Sequence, residues 1–455
     1  MRKVIFLVLI FNITNFCNAQ CFNKIANGAE HTLVIHTDGS LWSCGSNSIG
    51  QLGYETPYKN DQTFLKRIGL ENDWQSVAVG TFHSLAIKSN GTLWAWGSNG
   101  HGELGDGNSL YRQFPTQIGT ENNWESIVAG YYYTIAIKKD GTLWSWGYNF
   151  RGRLGLGDNF PSEVNSPTQI GNSTDWETIS AGSGHVLALK TDGTLWSWGD
   201  GYYGQLGNGT SYSVVHIPTQ IGNDTDWKLI ACGDVHSLAI KEDGSLWTWG
   251  KNIDKQLGDG TNINREIPTK IGIENDWKTL DGGAWHSLAI KNNGSLWWWG
   301  TRESGGLYGS IPTQYESDYN WQSISATTYN SGVLQSNNIL YSWGRNESGE
   351  IGVGSRQSVY NPIQIDCLEG LATREIIYNK KPFSIYPNPV KEKLFLKFES
   401  QTFTDEIIIT DFLGKTIIEQ KGSPSSINVQ NLQSGIYLLQ IDINGVKYQT
   451  KFLKD

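Results

Sequence analysis

The chain has 455 residues, which is long enough for two or three domains, and its formal net charge is −9 at pH 7. It contains no block of basic residues, and this balance argues against nucleic-acid binding, which depends on cationic contacts with phosphates. With 53 glycines, 20 tryptophans and only 17% charged residues, the composition predicts a turn-rich, all-β protein.

Residues 1–19 have the features of a signal peptide. Two basic residues precede an apolar run, Val4–Phe11, and small residues at Cys17–Ala19 form a cleavage site before Gln20. Gln20 stands directly before Cys21, where a lipoprotein would need a small residue, so we expect no lipid anchor. No later stretch approaches the roughly 18 apolar residues of a membrane-spanning helix, and we therefore expect an exported chain without a membrane span.

A Leu-Trp-x-Trp-Gly motif recurs down most of the chain and indicates an internal repeat. The first copy has Cys44 in place of the second Trp, and the last has Tyr341 in place of the first. The seven copies close at Gly45, Gly97, Gly147, Gly199, Gly250, Gly300 and Gly344. A period of about fifty residues predicts blades of four short strands rather than pairs of helices.

The unit from Trp124 to about Ile170 illustrates the predicted blade. Asp140-Gly141 is a two-residue hairpin turn, because both central residues of such a turn need positive φ. A Pro is tolerated in the outer strand, which lacks one partner. The four predicted strands are Glu125–Ala129, Thr134–Lys138, Leu143–Trp146 and Pro167–Ile170. Seven such antiparallel units predict a seven-bladed β-propeller.

Most tryptophans and histidines fall in register from one unit to the next. Eighteen of the 20 tryptophans occupy three repeated positions, where each ring buries roughly 150–250 Å² between blades. Five histidines share one position, His31, His83, His185, His236 and His286, with Tyr133 and Asn330 replacing His in two units. A recurring position predicts packing or a recurring hydrogen bond, so we expect no metal site and no cofactor there.

The repeat resembles the regulator of chromosome condensation repeat family. The resemblance rests on Gly233–Lys241, Asp243–Gly250 and Asn47–Gly53, and it covers about residues 22–366. It implies a seven-bladed propeller. The eukaryotic founder of the family activates a small GTPase on nucleosomes through an inserted wedge hairpin, and no unit of this chain carries a long insertion. Secreted bacterial relatives act as binding proteins, including an inhibitor of β-lactamases.

Two cysteines flank the repeats at positions that correspond to neighbouring turn residues in the other units. Pro362–Ile365 aligns with Pro115–Ile118, and Phe22 aligns with Trp124. Cys367 and Cys21 therefore lie where the last and first units meet. We predict a Cys21–Cys367 disulfide that closes the ring; the alternative is two free thiols near the ends. Cys44 and Cys232 are interpreted as buried thiols.

The chain after the repeats has a different character. Residues 368–381 have lost the pattern and are predicted to be a linker, and no Trp or Cys follows. Five strands are predicted in a small β-sandwich over residues 382–455: Lys393–Phe398, Glu406–Thr410, Ser426–Val429, Gly435–Ile443 and Val446–Leu453. The segments Ser384–Pro389 and Leu432–Tyr437 resemble the type A sorting domain of the type IX secretion system. This resemblance implies export and then release or attachment at the outer cell surface; an ordinary spacer domain is the alternative.

If the repeated residues hold the fold, binding should use residues that the repeats do not share. Two loops leave the same end of every predicted blade, one before the His position and one after the Trp-Gly pair. Tyr, Trp and Arg dominate binding hot spots, and these loops are rich in them. The predicted binding residues are Phe82, Tyr131, Tyr132, Tyr148, Phe150, Arg151, Tyr202, Tyr203, Trp285 and Tyr329. The alternative is that these rings only fill gaps between loops.

Three functions follow from this sequence. The leading one is a secreted binding propeller for a protein or a glycan partner. A propeller lyase or hydrolase is the second, although no catalytic motif is present. A nucleotide-exchange factor, by family analogy, is the third, and export argues against it. Calcium binding by Gly105–Asn108 and Gly258–Thr261 is open, since such loops more often only turn.

Overall fold

The computed structural model describes residues 21–55, 61–301, 307–366, 383–398, 406–411, 415–422, 424–443 and 446–455. The chain divides into two compact units, Met1–Cys367 and Leu368–Asp455. Both units are built from β-strands. The limits of the predicted signal peptide and linker lie outside the described residues.

The first unit is a seven-bladed β-propeller, as the period of the repeat predicts. Each blade is a four-stranded antiparallel sheet made from four consecutive strands. Blade 1 contains β1 (Phe22–Asn27), β2 (His31–His36), β3 (Leu41–Gly45) and β4 (Gln62–Ile68). Blade 2 contains β5 (Trp74–Val79), β6 (His83–Lys88), β7 (Leu93–Gly97) and β8 (Arg112–Gln117). Blade 3 contains β9 (Trp124–Ala129), β10 (Tyr133–Lys138), β11 (Leu143–Tyr148) and β12 (Glu163–Gln169).

The remaining four blades repeat the same order. Blade 4 contains β13 (Trp176–Ala181), β14 (His185–Lys190), β15 (Leu195–Gly201) and β16 (Ser213–Gln220). Blade 5 contains β17 (Trp227–Cys232), β18 (His236–Lys241), β19 (Leu246–Gly250) and β20 (Arg265–Ile271). Blade 6 contains β21 (Trp277–Gly282), β22 (His286–Lys291), β23 (Ser295–Thr301) and β24 (Leu307–Tyr319). Blade 7 contains β25 (Trp321–Ala326), β26 (Asn330–Gln335), β27 (Leu340–Gly344) and β28 (Val359–Gln364).

The Trp-Gly motif forms the end of the third strand in each blade. Its closing glycines have φ between 93° and 120°, a left-handed region in which a side chain would be strained. In blades 2 to 6 the tryptophan before the glycine is buried between blades, and its indole N–H donates to a backbone carbonyl of the preceding blade. In blade 5, for example, Trp249 Nε1 lies 2.9 Å from Gln205 O. The motif thus supplies both a turn and an inter-blade contact.

The other two Trp positions form a repeated sandwich around a lysine. In blades 2 to 6, the lysine Nζ lies 3.7–5.0 Å from the centroids of a first-strand and a third-strand indole. The five lysines are Lys88, Lys138, Lys190, Lys241 and Lys291. Each also pairs with a carboxylate just before or near the first-strand Trp, as Lys190 does with Asp175 at 3.1 Å. The predicted packing role of these tryptophans agrees with this geometry.

Trp298 stands outside the three Trp positions and fills a gap in blade 6. Equivalent residues in other blades are small, such as Ser197 and Thr248. The Trp298 ring lies 4.6 Å from both Tyr308 and Tyr315 and is 7% exposed. The Tyr308 hydroxyl accepts the Nε1–H of Trp343 at 3.0 Å, a bond that a backbone carbonyl accepts in the preceding blades. Extra rings thus replace the loop that this shorter unit lacks.

The ring closes without a shared strand, because each sheet contains only its own four strands. Blade 7 instead meets blade 1 through hydrogen bonds. Asn27 N lies 3.0 Å from Ser325 Oγ, and Asn27 Nδ2 lies 2.9 Å from Ser325 O. Thr32 donates to Glu350 O at 2.8 Å. Cys21 takes part in a disulfide, and its predicted partner Cys367 lies outside the described residues, so the pairing stays a prediction. Cys44 and Cys232 are buried thiols, as predicted.

The second unit contains two sheets that share one apolar core. One sheet contains β29 (Phe383–Tyr386), β30 (Lys393–Phe398) and β33 (Ser426–Asn428). The other contains β31 (Glu406–Asp411), β32 (Thr416–Lys421), β34 (Gly435–Ile443) and β35 (Val446–Lys454). The core between them is formed by Leu394, Leu396, Ile407, Ile409, Leu439, Ile441 and Phe452, among others. The predicted β-sandwich is correct, but β29 and β32 were not predicted.

Candidate functional site

The two variable loops of each blade lie at the same end. In every blade the residue after the closing glycine donates its N–H to the carbonyl of the residue before the His position. In blade 3, for example, Tyr148 N lies 2.8 Å from Tyr132 O, and the seven equivalent distances run from 2.8 to 3.2 Å. We call this end of the blades the loop face. All ten predicted binding residues lie on it.

The loops between first and second strands surround one end of a cavity of about 570 Å³ on the propeller axis. The inner strands line its wall with small residues such as Ala78 and Ala181. Phe82, Tyr131 and Tyr329 lie at the loop-face end. The loop face is therefore arranged around the axis.

Six aromatic side chains from blades 2 and 3 form a continuous group on this face. Phe82 stacks on Tyr132 at 5.8 Å, and Tyr131 meets Tyr132 edge to face at 4.4 Å. His101 lies 5.0 Å from Tyr132 and stacks on Tyr148 at 4.4 Å. Tyr148 in turn stacks on Phe150 at 5.9 Å with an interplanar angle of 10°. The rings thus run without a break from one blade to the next.

Arg151 extends this group into blade 4. Its guanidinium carbon lies 5.6 Å from the Phe150 ring and 5.7 Å from the Tyr202 ring, and Nη1 lies 2.9 Å from Asp200 Oδ1. Tyr202 contacts two further rings, Tyr203 at 4.9 Å and Tyr212 at 4.5 Å. We call the whole set the aromatic band: Phe82, His101, Tyr131, Tyr132, Tyr148, Phe150, Arg151, Tyr202, Tyr203 and Tyr212.

The band is open to solvent along its length. Tyr131 is 44% exposed, Phe150 50%, Tyr202 39% and Tyr212 74%. Isolated exposed aromatic residues are ordinary on protein surfaces, but a contiguous group is typical of an interaction site.

The last two predicted residues lie apart from the band. Trp285 and Tyr329 contact each other at 5.5 Å at the junction of blades 6 and 7. The Arg345 guanidinium covers the Tyr329 ring at 4.3 Å and lies 3.7 Å from Glu30. Of the ten predicted residues, eight therefore belong to the aromatic band, and Trp285 and Tyr329 form a separate pair.

Backbone strain is concentrated in the band. Tyr132, Arg151 and Tyr212 have φ of 61°, 56° and 56°, in the left-handed region that glycine normally occupies. Lys255 and Asn338 are the other described non-glycine residues with such values. A strained residue persists only where its surroundings hold it, and such residues tend to lie at functional sites.

The histidine position has a structural role in the interior. The ring Nε2 of His236 lies 2.9 Å from Ser287 Oγ of the next blade, and that hydroxyl donates to Gln256 O at 2.8 Å. Since the hydroxyl proton goes to the carbonyl, Nε2 must carry the proton that is shared with the serine oxygen. His31, His83, His185 and His286 make the same contact with Ser84, Thr134, Ser237 and Ser331.

Burial holds these five imidazoles neutral. It is the main cause that lowers the pKa of His31, His185 and His236 to about 3 and that of His83 and His286 to about 4. Among the residues that the structure describes, no group of three His, Cys, Asp or Glu side chains is arranged to hold a metal ion.

In each of the two loops considered for calcium binding, an arginine forms an ion pair with the aspartate. Asp106 accepts from Asn99 at 2.9 Å and pairs with Arg112 at 2.6 Å. Asp259 makes the same contacts with Asn252 and Arg265. A guanidinium therefore already neutralises the carboxylate that a calcium ion would use. The alternative interpretation, that these loops only turn, fits this geometry.

Three residues of the site were missed from the sequence. His101 lies in one of the variable loops of blade 2 but is not among the predicted binding residues, and Tyr212 follows the corresponding loop of blade 4. Arg153 occupies a position where other units have Gln or Glu, such as Gln51, Glu103 and Gln205. The signal in the sequence that could have identified Arg153 is that it differs from the Gln or Glu found at this position of the repeat. The contacts that it makes depend on two neighbouring blades.

Comparison with known families agrees with this architecture. Residues 11–230 match the RCC1-like domain, and residues 227–256, 243–290 and 337–378 match the regulator of chromosome condensation (RCC1) repeat. Residues 384–455 match the secretion system C-terminal sorting domain. Within the described residues, no helix has the length and apolarity needed to cross a membrane.

The chain is similar to curated proteins over about half of its length. It is 28% identical over 242 residues to the human E3 ubiquitin-protein ligase HERC2, covering 53% of this chain and 4% of that protein. It is 28% identical over 252 residues to the ultraviolet-B receptor UVR8 of Arabidopsis thaliana, covering 53% of this chain and 56% of that protein. The chain thus spans less than two thirds of the length of these relatives.

Among solved structures, yeast RCC1 (Prp20) bound to Kap60 gives a TM-score of 0.65 at 21% identity, over 85% of this chain and 93% of that chain. Human WBSCR16 gives 0.61 at 22% identity, over 68% and 84% of the two chains. At these identities the likeness concerns the fold. The repeats, the seven blades and the family matches together show that the chain belongs to the regulator of chromosome condensation (RCC1) repeat family and ends in a secretion system C-terminal sorting domain.

Proposed function

We propose that this chain is an exported binding propeller that captures a protein partner on the aromatic band. In this proposal residues 1–19 are a signal peptide, residues 20–367 form the propeller and residues 368–381 are a linker. Residues 382–455 direct export by the type IX secretion system to the medium or the outer cell surface. A Cys21–Cys367 disulfide clasps the ring.

The observation that carries the proposal is the continuity of the band. Rings of blades 2 and 3 meet at 4.4–5.9 Å, and Arg151 links them to the rings of blade 4. Several of these rings are exposed, while the repeated tryptophans of the same blades are packed between sheets. Large, rigid aromatic side chains contribute much contact area at little cost in conformational entropy. A mixed rim of Arg151, Asp200 and Glu163 gives the polar contacts that fix orientation.

The stacking favours a protein over a glycan. A sugar ring packs on an open aromatic face, but Tyr148 already has His101 stacked against it at 4.4 Å and Phe150 at 5.9 Å. What the centre of the band offers is ring edges and hydroxyl groups. These groups suit the side chains and backbone of a protein surface.

The test compares full-length chains as baits for a detergent-solubilised envelope fraction and for an array of surface glycans. We expect Tyr131→Ala with Tyr203→Ala to lose at least tenfold in capture of the proteins that the unaltered chain retains. The melting temperature should stay the same.

The matched control is Tyr386→Ala, which removes a tyrosine that is 51% exposed on β29 of the second unit and belongs to no blade. It should capture the same proteins as the unaltered chain. Equal capture by all three chains would contradict the proposed site. Retention of glycans but no protein would contradict the proposed partner class.

A further inference from the structure

The junction between blades 3 and 4 departs from the repeated pattern at three positions at once. Tyr133 stands where five blades have His, and Val186 stands where the partner serine or threonine belongs. Arg153 stands where five of the six other units have Gln or Glu. The Tyr133 hydroxyl compensates for the lost contact by donating towards two carbonyls, Gly182 O at 2.8 Å and His185 O at 3.0 Å.

Arg153 is a buried arginine that donates to backbone carbonyls. It is 6% exposed, and the guanidinium lies 5.6 Å from the Tyr133 ring and 5.3 Å from the Tyr148 ring. Nε donates to Phe150 O at 2.8 Å. Nη1 donates to Tyr131 O at 2.9 Å and to Ser183 O at 3.2 Å. One side chain therefore joins both loops of blade 3 to the first loop of blade 4.

Two of these carbonyls precede the strained residues of the band. Tyr131 O belongs to the peptide before Tyr132, and Phe150 O belongs to the peptide before Arg151. In a residue with left-handed φ, this preceding peptide plane is turned away from its usual orientation, and a non-glycine residue held there is under backbone strain. Hydrogen bonds from a charged donor are about twice as strong as neutral ones and can offset that strain.

We propose that Arg153 is the positioning residue of the aromatic band, fixing both peptides that hold Tyr132 and Arg151 in left-handed conformations. With those peptides fixed, the Tyr132 and Phe150 rings meet His101 and Tyr148, and Arg151 reaches Tyr202. The band is thus ordered before any partner arrives, which reduces the entropy cost of binding. The inference rests on the proposed function only in assigning the band to binding; the ordering is a property of the free chain.

The test is hydrogen exchange on the full chain with Arg153→Gln, which installs the residue of Gln51, Gln205 and Gln256. We expect amide exchange in segments 130–134 and 148–153 to accelerate at least tenfold. Segments 227–232 and 277–282, in blades 5 and 6, should not change. Near-ultraviolet circular dichroism from the stacked tyrosines should weaken. Arg153→Lys should behave like Arg153→Gln, because an ammonium group cannot donate in a planar fork.

A triple variant separates positioning from simple stability. Tyr133→His with Arg153→Gln and Val186→Ser rebuilds the His–Ser–carbonyl contact of the other blades. We expect it to recover the melting temperature of the unaltered chain while exchange in the two segments stays fast. Unchanged exchange in Arg153→Gln would overturn the inference, and so would slow exchange in the triple variant. Fast exchange with undiminished capture would leave the positioning role intact and contradict the band as the binding site.

Discussion

The junctions between blades and the loop face above them follow different rules. At the junctions the same atoms meet the same partners in blade after blade, as in the lysine sandwiches and the His–Ser contacts. On the loop face, the seven pairs of loops share one backbone hydrogen bond and differ in nearly every side chain. The comparison indicates that repeated chemistry holds the ring together and that irregular chemistry is available for recognition.

Acidification should break the junctions first and with the largest effect. The pKa values of the five buried histidines lie below the 6.5 of an unfolded chain, so the unfolded chain binds more protons between about pH 6.5 and pH 3–4. The stability that these neutral histidines contribute is fully present above pH 6.5 and is lost as the pH falls. Protonating one such histidine costs about 3–5 kcal/mol. Far-ultraviolet circular dichroism against pH should show cooperative unfolding; a native signal at pH 3 would contradict this.

A large cavity at a junction should be nearly as damaging. Trp249 is fully buried, and Trp249→Ala also leaves Gln205 O without its indole donor. We expect a loss of about 3–5 kcal/mol in the free energy of unfolding, measured by urea denaturation. The control is Trp285→Ala on the loop face, which should lower the free energy of unfolding far less.

The inner strands offer a change that should stabilise the ring. Asp281 accepts the N–H of Ala326 in the next blade at 2.8 Å, a contact that Ser180 and Ser325 make in other blades. Burial raises the pKa of Asp281 to about 7, so stability falls as the pH rises from about 4 to 7. Asp281→Ser should therefore add about 1–3 kcal/mol at pH 8 and nothing at pH 4. Equal effects at both pH values, measured by thermal melts, would count against this explanation.

The lysine sandwich should contribute less to the free energy of unfolding than the buried tryptophan does. Lys190→Met keeps the aliphatic stem but removes the charge from between Trp176 and Trp196, and we expect a loss of about 1 kcal/mol. Lys228→Met is the matched control, because Lys228 pairs with Glu242 in solvent and should be worth little. Similar losses for the two variants would show that the rings are not responsible.

Substitutions on the loop face should have the smallest effect on stability. Phe150 is half exposed, so Phe150→Ala should change the free energy of unfolding by at most about 0.5 kcal/mol. Capture of the partner should nevertheless fall strongly. A variant that lost stability and capture together would place Phe150 among the packing residues.

Sequence periodicity predicted the blades well because their strands depend on local chemistry. The strand ending in Trp146 and Gly147, the Asp140-Gly141 turn and the Trp positions all follow from spacing. The outer strand of blade 3 begins at Glu163, four residues before the predicted Pro167, since only its pairing with β11 fixes that end. The contacts of Arg153 and His101 could not be predicted from the sequence, because they depend on which loops meet across blades. The same holds for Trp298, which compensates for a short loop.

The closure of the ring has a consequence for how such a protein can change over time. Since each described sheet of the propeller contains only four consecutive strands, every blade is a self-contained cassette, and the contacts that couple it to its neighbours repeat at most junctions. Duplicating, deleting or exchanging one cassette leaves the remaining couplings intact. New recognition surfaces can therefore arise by shuffling whole units, without changes to the packing of the remaining blades.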